Sequence, residues 1–146
     1  MDANDGFREL DRQECVRLLT TVPVGRIVYT RRALPAVLPV TFGLDVDGAV
    51  LLRTSAFSDL ADAVDGAVVA FEADEVNAAA HSGWSVVVTG AAGLVADPAE
   101  HARLLRTGPP SWVPARHEVF VRIEPELVTG RGLVGGTSLY GLSSLL

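Results

Sequence analysis

The stretch GRIVYTRRALPAVLPVTFGL, residues 25–44, contains two runs rich in β-branched and aromatic residues, GRIVYT and AVLPVTFGL, separated by the polar turn region RRAL. Such residues favour extended backbone, and strands joined directly by a turn pair antiparallel, so the stretch reads as a hairpin. Upstream, LDRQECVRLLTTV opens with Asp11 and Glu14 three apart, a capping pair, and places Cys15, Leu18 and Leu19 on one side of a helix expected over about 11–21 and ended by Pro23 and Gly25. Downstream, Asp45, Asp47 and Gly48 form a tight turn into AVLLRT, and SDLADAVDG carries Leu60, Ala63 and Val64 at helical spacing before Gly66.

The remainder alternates in the same manner. AVVAFEADEV reads as a strand, NAAAHSG as a loop or short turn, and WSVVVTGAAGLVA as a long strand bent at Gly90 or Gly93. A helix is expected from Pro98 through AEHARLLR, then a proline-marked loop, TGPPSWVPAR. HEVFVRIEPELVTGRGL gives an alternating strand with Val119, Val121 and Ile123 on one face, followed by a shorter strand. About six strands and two or three short helices, with several strands joined by turns, predict a mainly β fold: an antiparallel barrel with helices at its ends.

The 146 residues match one ordinary domain, 1–146, and 49% hydrophobic composition is too apolar for a disordered chain. No apolar run approaches the ~18 residues of a membrane span, and the acidic start MDANDGFREL lacks the pattern of a secretion signal, so a soluble cytoplasmic protein is expected. A net charge of -6 with no basic cluster argues against nucleic-acid binding. All twelve basic residues are arginine, which excludes any lysine Schiff-base mechanism. Cys15 is the single cysteine, so an internal disulfide and a thiolate cluster are excluded.

Chemistry concentrates in LLRTSAFSDL, residues 51–60, where Arg53, the hydroxyls of Thr54, Ser55 and Ser58, and amides at a helix start could converge on one anion. The bland alternative makes Ser58 a helix cap and Arg53 an exposed strand residue, and Asp59 would repel a phosphate dianion. His81, His101 and His117 have no metal-ligand spacing, and Ser82 beside His81 lacks a nucleophile elbow. Of Glu72, Asp74 and Glu75, strand alternation puts the first two on a common face, which suits a solvated surface better than a cation site. Trp84 and Trp112 could stack on a flat ligand or cover a core.

In their order, ECVRLLTTVPVGRIVYT, LPAVLPVTFGLDVDGAVLLRTSAFSDLADAV, VVAFEADEV, GWSVVVTGAAGLVADPAE and VFVRIEPELVTGR closely resemble the pyridoxamine 5'-phosphate oxidase-like split-barrel flavoproteins, especially small actinobacterial members, over about residues 9–132. The resemblance implies a six-stranded antiparallel split β-barrel and a homodimer with FMN at each of two clefts between subunits. It places Val40 and Thr41 beside the isoalloxazine ring, largely through backbone hydrogen bonds, and assigns Arg53, Thr54, Ser55 and Ser58 to the FMN phosphate. Trp84 and Ser85, and less directly Arg131, would reach the flavin from the other subunit. A variable tail occupies about 133–146.

Relatives commonly carry Lys or Arg immediately after the serine matching Ser58, where this chain has Asp59. That exchange leaves three readings open: FMN, the deazaflavin F420, or a site that has lost its cofactor. The expected function is an FMN-dependent oxidoreductase acting on a small planar acceptor. The alternatives are a flavin, F420 or haem binding protein without turnover and a cofactor-free interaction module. Oxidation of pyridoxamine phosphate itself is not expected, because no second basic cluster exists to hold the substrate's phosphate and residues after Leu133 contain no Arg or Lys.

Overall fold

The computed structural model describes residues 7–111 and 114–133. The expected tail beyond Leu133 and Trp112 lie outside the described residues. The chain order is β1 (Phe7–Leu10), α1 (Arg12–Leu19), β2 (Val24–Arg31), β3 (Leu34–Leu44), β4 (Val50–Ser55), α2 (Asp59–Val64), β5 (Val68–Asn77), β6 (Ser82–Leu94), α3 (Pro98–Thr107), β7 (Glu118–Ile123) and β8 (Leu127–Leu133).

The hairpin over residues 25–44 forms as expected, with Arg31 opposite Leu34 across a two-residue turn. Both turn residues, Arg32 and Ala33, have positive φ, 52° and 65°. Neither is glycine, so the tight connection is made at a conformational cost. From this hairpin the sheet runs β6-β5-β2-β3-β4-β7, and a β6–β7 pairing closes it into a six-stranded antiparallel barrel. The predicted barrel is therefore present, with three helices. Two further strands lie outside it: β8 pairs with β6, and β1 pairs with β8. β1 has no counterpart in the sequence reading.

Closure depends on β6 changing partners. Residues 82–91 pair with β5, whereas Ala92, Gly93 and Leu94 turn to β7. Gly90 lies just before this change of partner, and a Cβ there would lie 1.7 Å from the Glu124 carbonyl oxygen. Any side chain there would collide with the backbone that the strand must pass.

Strand alternation fills the barrel from all sides. Ile27 and Tyr29, Val50 and Leu52, Phe71, Val86 and Val88, and Val121 and Ile123 all join one buried cluster. α1 packs against β6 and β8 and adds Cys15 and Leu19 to the same cluster; its start is fixed by the expected reciprocal bonds, Asp11 Oδ1 accepting from the Glu14 amide at 2.8 Å and Glu14 Oε1 from the Asp11 amide at 3.3 Å. α1 stops at Leu19, before Pro23, and Gly25 lies inside β2.

α3 packs outside the barrel, where Leu104 meets Leu51 and Phe120. It is also held electrostatically. The Asp45 carboxylate, 8% exposed in the β3–β4 turn, accepts from Arg103 of α3 at 2.9 Å and from Arg122 of β7 at 2.8 Å. Burial alone would raise the Asp45 pKa, but these bonds and one from the Val46 amide hold it below the usual carboxylate range.

Candidate functional site

β3 and β4 form a fork. They pair at three rungs, ending with Phe42 opposite Leu52; beyond it Arg53, Thr54 and Ser55 pair with β7 while residues 34–41 pair with β2. A cavity of about 380 Å³ occupies the opening, lined by Leu38–Thr41 on one prong, Arg53–Ser55 on the other, and Ser111, Ala115 and Glu118 behind. Val40, Thr41, Arg53, Thr54 and Ser55, separated by up to fifteen residues of sequence, therefore share one cavity.

Backbone alternation sets what the fork offers. In an antiparallel ladder, alternate residues turn their amide groups to opposite neighbours. The Phe42 amide donates to the Pro23 carbonyl at 3.3 Å, so residue 42 faces β2 and residue 41 faces the fork. Thr41 thus turns its N–H into the opening, while Val40, opposite Gly25, is bonded within the hairpin. The Thr41 hydroxyl donates to the Pro110 carbonyl at 3.1 Å, joining this prong to the loop behind.

Arg53 is the one cation lining the cavity among the described residues. Its side chain lies under the loop, 5.3 Å from the Phe120 ring centroid, and donates to Glu118 Oε1 through Nε at 3.0 Å and Nη2 at 2.8 Å. Nη1 reaches the Pro109 carbonyl at 3.5 Å. A guanidinium has five N–H donors, so these contacts leave some for a ligand. Glu118 also accepts from the Ser111 hydroxyl. That bond, together with Arg53, holds the Glu118 carboxyl below its ordinary pKa against the rise that burial causes.

The hydroxyls do not all converge. Ser55 accepts from the Phe57 amide at 3.1 Å, which leaves its own O–H to donate. Thr54 donates to Ser58 at 3.1 Å, and Ser58 accepts from the Ala61 amide at 3.0 Å as the cap of α2. Ser58 does not line the cavity: its cap role and its support of Thr54 occupy it. Asp59 also stays outside, 65% exposed and ion-paired with Arg31.

Trp84 and Ser85 belong to a different face, on β6, three strands from β3 around the barrel. They point to opposite sides of the strand. Trp84 packs against the main core, and Ser85 opens with Arg131, Glu9 and Val128 onto a shallow cavity of about 590 Å³. Elsewhere, Glu72 and Asp74 share a face as expected and both approach Arg26 Nη1, at 3.4 and 3.3 Å. No group of metal-ligating side chains occurs among the described residues, and no described helix is long and apolar enough to cross a membrane.

An anionic ligand bearing a flat apolar body fits the fork: a guanidinium with spare donors and a serine hydroxyl lie on one prong, and a backbone amide among apolar side chains on the other. Glu118 was not foreseen from sequence. It starts a strand after a proline loop, and its proximity to Arg53 comes from β4–β7 pairing across 65 residues.

Comparison with known proteins gives consistent relatives. A family profile described as pyridoxamine 5'-phosphate oxidase matches residues 11–132. An uncharacterised protein of Mycobacterium tuberculosis is 48% identical over 131 residues, covering 86% of this chain and 85% of that protein. A crystal structure from Corynebacterium glutamicum, provisionally named a pyridoxamine 5'-phosphate oxidase, superposes with a TM-score of 0.74 at 33% identity, covering 91% of this chain and 96% of that one. A Mycobacterium smegmatis structure named an FAD binding protein gives a TM-score of 0.67 at 32% identity, over 86% of this chain and 97% of that one.

Proposed function

The chain belongs to the pyridoxamine 5'-phosphate oxidase family of flavin-binding split barrels, and from that premise we propose that it is a flavin-dependent oxidoreductase acting on a small planar acceptor. The fork between β3 and β4 carries the reading. Arg53 and the Ser55 hydroxyl bind the phosphate end of the flavin, with Thr54 buttressed by Ser58 beside them. The Thr41 N–H orients the ring system along the apolar prong. A bound flavin supplies the hydride or electron transfer, and the protein supplies position and exclusion of water.

A homodimer completes the site in this proposal. The open prong of β3 leaves Val37 62% exposed and Leu34 67% exposed, an apolar strip suited to a second copy. The same association would bring Trp84, Ser85 and Arg131 of one subunit to the fork of the other. A second reading, flavin binding without turnover, is favoured by one observation. Glu118, the one carboxylate lining the cavity among the described residues, is held ionised by Ser111 and Arg53, so it is poorly suited to deliver a proton.

The test is a visible spectrum of the full-length protein after incubation with flavin and removal of unbound ligand, followed by addition of NADH or NADPH under anaerobic conditions. Retained flavin bleached by either nucleotide supports the oxidoreductase. Retained flavin that neither reduces supports the carrier, and a colourless protein overturns both.

A further inference from the structure

The proline-marked loop after α3 brings three consecutive residues to the fork, and each bonds a different strand. The Pro109 carbonyl accepts from Arg53 Nη1 of β4 at 3.5 Å, and the Pro110 carbonyl accepts from the Thr41 hydroxyl of β3 at 3.1 Å. The Ser111 hydroxyl donates to Glu118 Oε2 of β7. Proline has no N–H, so positions 109 and 110 can offer backbone acceptors only, and both meet donors of the fork. Ser111 reaches instead the carboxylate that holds the same arginine. It takes Oε2, while Nε and Nη2 of Arg53 share Oε1 at 3.0 and 2.8 Å, so the two partners do not compete.

We propose that Ser111 and Glu118 are positioning residues for the anion site: Ser111 fixes the carboxylate, and the carboxylate fixes the Arg53 guanidinium for the ligand's phosphate. The inference rests on the flavin reading above and assigns how the cation of that site is held. Donor counting supports it. Glu118 takes the Nε donor and one from Nη2, and Pro109 takes one from Nη1, which leaves one N–H on each terminal nitrogen of Arg53. Two such donors suit two oxygens of one phosphate. The guanidinium is also held across its face, 5.3 Å from the Phe120 ring centroid, and its side chain is 19% exposed. Glu118 has two opposed effects. Its charge repels an anion, whereas its bonds order in advance a long side chain that would otherwise lose rotamer freedom on binding. The carboxylate grips the Nε–Nη2 edge, so a phosphate on the remaining terminal donors lies nearer the cation than the acid, and the ordering outweighs the repulsion.

The experiment is calorimetric titration of the full-length protein, freed of bound flavin, with FMN and separately with riboflavin, which lacks the phosphate. Taking the ratio of the two affinities cancels any effect of a variant on the fold or on binding of the ring system. Glu118→Met, similar in length but without acceptor oxygens, lowers the FMN-to-riboflavin ratio about tenfold. Ser111→Ala, a mild change in a loop, lowers it about threefold, the value of one hydrogen bond, and Ser111→Thr restores it. A ratio that neither Glu118→Met nor Ser111→Ala changes makes these contacts structural only and overturns the proposal. A ratio that rises in Glu118→Met shows the acid acting by its charge alone and overturns it as well. Parent protein that binds FMN no tighter than riboflavin overturns the fork as a phosphate site, and parent protein that binds neither overturns the flavin reading itself; either result takes this inference with it.

Discussion

The Asp59 carboxylate is ion-paired with the Arg31 guanidinium, joining the first residue of α2 to the last residue of β2 outside the fork. The acid at position 59 therefore has its own partner and does not line the fork cavity. Asp59→Asn should leave flavin affinity within about twofold, because the charge removed is remote from the ligand. It should alter stability by less than ~1 kcal/mol, as for other exposed pairs. Titration and thermal melting of the variant check both.

Arg53 is expected to be indispensable. Arg53→Gln removes the cation of the cavity and leaves Glu118 without its charged partner, so a phosphate-bearing flavin should bind about ten- to a hundredfold more weakly, the value of a charge-assisted hydrogen bond of ~1.5–3 kcal/mol. Fluorescence or calorimetric titration reads the change directly. An affinity within twofold of the parent would remove the fork as the phosphate site.

The turn between β2 and β3 can be improved. Replacing Arg32 by Asn together with Ala33 by Gly suits the positive φ of both positions, 52° and 65°. A gain of about 1 kcal/mol is expected, less than the full left-handed penalty because Gly also loosens the unfolded chain. The melting temperature should rise with no effect on ligand binding.

Gly90 should tolerate no side chain. In Gly90→Ala the new methyl would meet the Glu124 carbonyl oxygen, so β6 could not bend between its two partners without moving backbone. Destabilisation of about 3 kcal/mol or more is expected, in the range of other steric disruptions, and chemical denaturation would measure it.

Glu72 should make stability depend on pH. Burial, and then the hydrogen bond and charge of Asp74, outweigh Arg26 and raise the Glu72 pKa to about 7. A carboxyl with a raised folded pKa stabilises fully below its unfolded value of ~4.3 and loses that contribution as pH rises through about 7. Unfolding free energy should therefore decline over that interval. Glu72→Gln should flatten the decline, as urea titrations at several pH values would show.

The fold was legible where local signals agree with long-range pairing. The runs in residues 25–44 and the Asp11–Glu14 cap each depend on nearby residues. β1 was not legible, because Phe7–Leu10 is four residues long and becomes a strand through its pairing with β8. Residue types in RTS pointed toward an anion, and Arg53, Thr54 and Ser55 do meet at one cavity. The roles of Ser58, Asp59 and Glu118 turn on which partner each side chain finds. Two of those partners, Arg31 and Arg53, lie on strands remote in sequence.

The opening of the fork also leaves a strand margin that another polypeptide could extend by hydrogen bonding. Alternation directs residues 35, 37, 39 and 41 of β3 toward that margin, and two of these, Pro35 and Pro39, have no N–H to donate. A foreign strand docking there would find every second donor missing, the device by which exposed sheet edges resist runaway association. The chain can thus keep its cleft open for a ligand without leaving a continuous template for aggregation.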